Sequence, residues 1–129
     1  MLQVLLGVAS MAVILFVEDD AVSRRSIANF LRLSGYEVHE AENGEAALKL
    51  LSTTQFDVVI SDLNLPGKLN GIDILDALKT VTRRIKAILI TGRGSEEIKS
   101  KANSLGALYL EKPVQLQELE TALEWRVER

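Results

Sequence analysis

The sequence predicts an α/β fold, a doubly wound five-stranded parallel sheet with helices on both faces. Three observations predict it. Short apolar, β-rich runs alternate along the chain with segments of helical periodicity. The runs are apolar without polar alternation, the mark of strands buried on both faces, and strands separated by a helix are normally parallel with right-handed crossovers. The chain has 129 residues, 47% hydrophobic and 26% charged, with no repeat, linker or composition shift, which is the size and composition of one globular domain.

The first strand is expected at Val13–Val17. The apolar stretch that leads into it, Leu2 to Val17, is broken only by Gln3 and Ser10. It falls short of the roughly 20 residues a membrane helix needs, and it ends in Glu18-Asp19-Asp20. A secretory signal would carry a positive residue near Met1, and cleavage there would destroy the core strand. The expectation is a soluble, cytoplasmic protein with no membrane association. Residues 1–10 read as an upstream start or an N-terminal extension, and residues 11–129 as the domain.

A helix from Ser23 to Leu33 places Ile27, Phe30 and Leu31 on one face, with Ser34-Gly35 as its stop. Tyr36–Glu40 is the second strand, and Asn43-Gly44 opens a helix over Glu45–Leu51. The third and fourth strands are expected at Val58–Ile60 and Ile85–Ile90, separated by a helix at Ile72–Lys79 with Leu75 and Leu78 inward. A fourth helix, Ser95–Leu105, turns Ile98, Ala102 and Leu105 inward and closes at Gly106, before a fifth strand at Ala107–Leu110. The last helix, Leu116–Val127, has Leu116, Leu119, Leu123 and Val127 as its buried stripe; Trp125 falls about 200° from Leu123 and should face outward.

Fifteen Lys and Arg against eighteen Asp and Glu give a net charge of −3, which argues against direct nucleic-acid binding. Arg24-Arg25 and Arg83-Arg84-Ile85-Lys86 are not interleaved with aromatics and read as solvated faces. No cysteine is present, so disulfides, thiolate metal sites and a cysteine nucleophile are excluded. His39, the single histidine, lies on the second strand, remote from the other strand ends, and reads as an ordinary side chain.

Ligands of open α/β sheets bind beyond the carboxyl ends of the strands. Those ends carry Glu18, Asp19 and Asp20 after the first strand, Asp62 after the third, Thr91-Gly92 after the fourth and Lys112-Pro113 after the fifth. Asp20 is best placed to cap the following helix. Asp62, Thr91 or Lys112 alone would be ordinary loop residues; their convergence carries the argument. Carboxylates gathered in one crevice repel unless protonated or arranged around a cation. Oxygen ligands without His or Cys suit Mg²⁺, and Lys112 and Thr91 suit phosphoryl oxygens.

In this order and at these strand ends the residues resemble the response-regulator receiver domains of two-component signalling. The carriers are Glu18-Asp19, Asp62-Leu63-Asn64-Leu65-Pro66, Thr91 and Lys112-Pro113. The resemblance implies a flavodoxin-like strand order 2-1-3-4-5 and a phosphoacceptor role for Asp62, fed in a Mg²⁺-dependent reaction by the phosphohistidine of a sensor histidine kinase or phosphotransfer protein. It assigns Glu18, Asp19, Asp62 and the backbone carbonyl of Asn64 to the metal, with Lys112 pairing with Asp62 and then with the phosphoryl group. It makes Thr91 and Tyr109 a switch that controls a downstream effector; by residue type alone Tyr109 also reads as a plain core aromatic. It implies self-catalysed phosphoryl transfer and dephosphorylation rather than an enzyme acting on a separate substrate. The usual output face, formed by the fourth helix, fifth strand and fifth helix, makes Trp125 an interface candidate for a partner or homodimer.

One spacing departs from the family. Gly71 follows Pro66 by five residues rather than four, an insertion that spares the Asp62-to-Asn64 spacing but bears on how a kinase docks. Asn64 and Arg93 stand at positions that in the family tune phosphoryl lifetime. Three rivals share parts of the pattern. A haloacid-dehalogenase-type phosphatase needs Asp-x-Asp, and Asn64 removes its second acid. A flavin binder needs a phosphate-cradling loop where Glu18-Asp19-Asp20 stands. A degenerate receiver acting only as a binding module would not need the full set of site residues.

Overall fold

The computed structural model describes residues 12–81 and 83–124. The expectations for residues 1–10, Trp125 and Val127 therefore lie outside the described residues. The chain runs β1 (Val13–Val17), α1 (Ala21–Leu33), β2 (Glu37–Ala41), α2 (Gly44–Thr53), β3 (Val58–Asp62), α3 (Gly71–Ala77), a short 3₁₀ turn (Leu78–Thr80), β4 (Lys86–Thr91), α4 (Glu96–Ser104), β5 (Leu108–Glu111) and α5 (Leu116–Glu124). All strand pairs are parallel, in the order β2-β1-β3-β4-β5. The expected sheet and order stand.

Pleating sorts the buried side chains between two layers. Ile14 and Phe16 of β1, Val58 and Ile60 of β3 and Ile88 and Ile90 of β4 pack with Ala28 and Leu31 of α1 and Leu119, Ala122 and Leu123 of α5. Leu15, Val17 and Val59 point the other way, toward Ala47 of α2 and Ile74 of α3. Ala87 and Leu89 meet Leu75 of α3 and Ala102 of α4. The central strands are apolar without alternation because both faces are covered.

Local signals set the helix ends. Asp20 caps α1 by accepting from Ser23 N at 2.8 Å, and that contact holds its carboxyl below the usual carboxylate range. Asn43 caps α2 through Ala46 N at 2.7 Å. Asn70 and Asp73 form a reciprocal capping box that starts α3 one residue before the expected Ile72. Helix α3 then tightens into the 3₁₀ turn at Leu78 instead of running to Lys79.

Three expectations are corrected. Asp62 and Thr91 are the last residues of β3 and β4, not the first of the loops: Asp62 stands in register with Ile90 and Thr91 with Glu111. Leu116 is 41% exposed, whereas Leu119 and Leu123 are buried. Helical side chains lean toward the N-terminus, so the first residue of α5 leans away from the turns that carry Leu119 and Leu123 onto the sheet. Arg24, expected on a solvated face, is only 9% exposed, because Glu40 of β2 draws its guanidinium inward.

Candidate functional site

Four parallel strands, β1, β3, β4 and β5, end on the same side of the sheet, and the residues at or just beyond those ends make the site. Beyond β1, the Glu18 N–H donates to Ala41 O of β2 at 3.0 Å, which continues the β1–β2 pairing one residue past the strand end. Glu18 and Asp62 are buried, at 5% and 6% exposed; Asp19 is exposed. One carboxylate oxygen from each of Glu18, Asp19 and Asp62 lies within 4.8 Å of the others.

A single ammonium serves this group. Lys112 Nζ donates to Asp62 Oδ2 at 2.8 Å and to Glu18 Oε1 at 3.0 Å. Its position is set by its own backbone, whose N–H donates to Thr91 O at 3.0 Å, and the following Lys112–Pro113 peptide is cis. Burial pulls the Lys112 pKa down, but the hydrogen bonds and charges of Asp62 and Glu18 outweigh it and raise the pKa above the ordinary lysine value. Glu18 Oε2 also accepts from Asp20 N at 3.0 Å, so both of its oxygens are engaged.

Three carboxylates against one ammonium leave two negative charges at the mouth of the sheet. Buried charge in excess is costly. An all-oxygen set with that deficit fits a divalent hard cation such as Mg²⁺, which the residues Glu18, Asp19 and Asp62 would hold. Asn64 lies exposed on the loop two residues beyond Asp62.

Thr91 is fully buried, and its Oγ1 accepts from Arg93 N at 3.0 Å. Tyr109, on β5 opposite Leu89, is half-buried. Its hydroxyl fills the space that a side chain at Gly94 would need, and Thr91 Cγ2 borders the same spot. Burial raises the Tyr109 pKa, with Glu111 and Glu96 adding to the effect. Thr91, Gly94 and Tyr109 thus form one contiguous group behind the β4 end.

The loop from Pro66 to Gly71 packs against the start of α2. Gly67 takes φ +92°, Lys68 N donates to Glu45 Oε2 at 3.4 Å, and Leu69 packs where a side chain on Gly44 would stand. Gly71 then passes directly over the backbone of Asp62, where a Cβ would lie 2.5 Å from the Asp62 carbonyl oxygen.

Sequence reasoning missed one residue that touches the site. Arg24 Nη1 donates to the Glu18 carbonyl at 2.9 Å. Its neighbour Arg25 makes the pair look like surface charge, and both approach Glu40 of β2, but only Arg24 is buried and reaches the Glu18 carbonyl.

A five-stranded parallel sheet of this order with an acidic cluster at its carboxyl end defines a class of α/β domains that comparison with known proteins identifies. The model for the response regulator receiver domain matches residues 14–124. The chain belongs to the response-regulator receiver family. It is 31% identical over 111 residues to sporulation initiation phosphotransferase F of Bacillus subtilis, covering 85% of this chain and 89% of that protein. It is 36% identical over 105 residues to a cyclic di-GMP phosphodiesterase of Thermotoga maritima and 35% over 109 to response regulator protein FleR of Pseudomonas aeruginosa. The chain covers 81% and 84% of itself in those matches but only 28% and 23% of the two longer proteins. Among solved structures, a CheY-like receiver domain protein from Methanospirillum hungatei JF-1 superposes with a TM-score of 0.83 at 28% identity, covering 89% of this chain and 92% of that one. Receiver domains are generally regulatory, and no helix among the described residues is long and apolar enough to cross a membrane.

Proposed function

We propose that this chain is a phosphoacceptor: Asp62 takes a phosphoryl group from the phosphohistidine of a histidine kinase or phosphotransfer protein, and the modified domain controls a partner. The observation that carries this reading is the shared Lys112 ammonium, 2.8 Å from Asp62 Oδ2 and 3.0 Å from Glu18 Oε1, within a cluster of three carboxylates.

In the reaction Asp62 is the carboxylate nucleophile. One of its oxygens attacks phosphorus, the phosphorus–nitrogen bond to the donor imidazole breaks, and the bonding pair leaves with that nitrogen. Mg²⁺ bound by Glu18, Asp19, Asp62 and the Asn64 carbonyl would supply charge stabilisation for the equatorial phosphoryl oxygens. Lys112 holds Asp62 in line before transfer and turns to the phosphoryl oxygens afterward. The chain performs this step, and the later hydrolysis, on itself rather than on a separate substrate.

Thr91 is the reader of the modification. Its hydroxyl can donate to a phosphoryl oxygen while accepting from Arg93 N, and its movement opens or closes the space bordering Gly94 and Tyr109. A phosphoryl group adds about two negative charges and three acceptor oxygens. Moving a two-state element from 1:99 to 99:1 takes about 5.5 kcal/mol, within reach of several charge-assisted hydrogen bonds. Tyr109 then carries the change to the face formed by α4, β5 and α5, where an effector protein or domain, or a second copy using Trp125, would dock. The cytoplasm is the compartment for such a relay.

The test is to incubate the chain with MgCl₂ and acetyl phosphate and follow intact mass, beside Asp62→Asn. One added phosphoryl group on the parent and none on the variant is expected. An unlabelled parent, or equal labelling of both, overturns the assignment, the former in favour of a binding module that works without phosphate.

A further inference from the structure

Arg24 has no part in the phosphoryl chemistry just described, yet it is among the few buried charged residues. Its guanidinium joins two segments. Nε donates to Glu40 Oε1 of β2 at 3.1 Å, and Nη1 donates to the backbone carbonyl of Glu18 at 2.9 Å. That carbonyl belongs to the peptide plane linking Glu18 to Asp19, the two acids that face the cluster from β1.

The Glu18 backbone is therefore gripped on both sides. Its N–H is held by Ala41 O at 3.0 Å, and its C=O by Arg24, whose own anchor, Glu40, is the residue before Ala41. Both grips originate at the end of β2. Glu40 is itself fixed by Arg32 Nη1 at 3.1 Å on its other oxygen. The Glu18 side chain has Lys112 and Asp20 N as partners, whereas no side-chain hydrogen bond or ion pair holds Asp19 among the described residues. The direction of the Asp19 carboxylate thus depends on the peptide plane before it.

We propose that Arg24 is a positioning residue for the acidic site: by fixing the Glu18–Asp19 peptide it keeps both carboxylates within reach of one divalent cation. A guanidinium spans two acceptors with a rigid fork; a lysine ammonium on a flexible stem keeps the charge for Glu40 but not the fork. Groups that orient metal ligands without touching the metal typically govern affinity by about 10- to 100-fold. The inference rests on the phosphoacceptor reading only for what the site is used for.

Calorimetric titration of the full chain with MgCl₂ alone tests it, for the parent, Arg24→Lys, Glu40→Gln and Asp57→Ala. Loss of the Asp57 contacts with Val13 N and Arg83 serves as a control for lowered stability away from the clamp. Arg24→Lys is expected to weaken Mg²⁺ binding about 10-fold, Glu40→Gln by a smaller factor, and Asp57→Ala not at all. A folded Arg24→Lys that binds Mg²⁺ within about twofold of the parent overturns the proposal. If Arg24→Lys does not fold, unchanged affinity in Glu40→Gln overturns it instead. A parent that binds Mg²⁺ but takes no phosphoryl group breaks the functional reading and leaves the clamp standing. A phosphorylated parent beside an Arg24→Lys of parental Mg²⁺ affinity does the reverse.

Discussion

Two aspartates bracket β3 and live in opposite electrostatic circumstances. Asp57, at the amino end, is matched. Its Oδ2 accepts from Val13 N at 2.8 Å and its Oδ1 from Arg83 Nη2 at 2.7 Å, so one carboxylate meets one guanidinium and ties the start of β1 to the loop before β4. Asp62, at the carboxyl end, is unmatched. It shares a single ammonium with Glu18 while Asp19 stands alongside, and its side chain is 7% exposed against 36% for Asp57. Asp57 is satisfied from within the chain, whereas the cluster at Asp62 keeps an excess of negative charge that a bound cation would offset. A stabilising contact and the proposed phosphoacceptor thus stand at opposite ends of the same strand.

Substitutions sharpen that contrast. The largest effect on stability is expected for Asp57→Ala, which strands a partly buried N–H and leaves Arg83 only its bond to Gln55; urea denaturation should show a loss of about 2 kcal/mol, with acetyl phosphate labelling unchanged. Labelling that falls with Asp57→Ala in a folded protein would erase the division between the ends. Asn43→Ala, which removes the cap of α2, is expected to cost about 1 kcal/mol by the same measurement, again without affecting labelling.

A smaller effect separates the ends by pH. The folded-state pKa of Lys112 lies above its ordinary value of 10.5. Its contribution to stability is fully present below that ordinary value and is lost as pH rises through the folded one. The difference in unfolding free energy between the parent and Lys112→Met should therefore be constant near neutrality and shrink above about pH 10.5, as read from urea curves at stepped pH. A difference that grows with alkalinity would mean that the ammonium is not held by Asp62 and Glu18.

Much of this was legible in the sequence, for identifiable reasons. Central strands covered on both faces leave unbroken apolar runs, and Gly35 and Gly106, at φ +104° and +80°, mark helix ends that only such residues tolerate without strain. The strand-end acids and Lys112 could be read because strand order makes those ends converge. What escaped depended on pairings between distant segments. Arg24 is buried because the β1–β2 register, Phe16 opposite Glu40, delivers a carboxylate beneath α1. The Asp57–Arg83 pair arises because the chain entering β3 and the chain entering β4 lie side by side. The Asn70–Asp73 capping box was visible as a spacing, and would have placed the start of α3 at Gly71.

The charge deficit at the carboxyl end is the claim on which the rest depends, and thermal unfolding with and without MgCl₂ tests it most directly. A ligand at about 100 times its dissociation constant stabilises the state it binds by about 2.7 kcal/mol. The parent and Asp57→Ala should both melt higher when Mg²⁺ is added. Asp19→Asn should gain little from the ion, and should already melt slightly higher than the parent without it, since one like charge has gone. A parent indifferent to Mg²⁺, or an Asp19→Asn that responds as the parent does, would contradict the account.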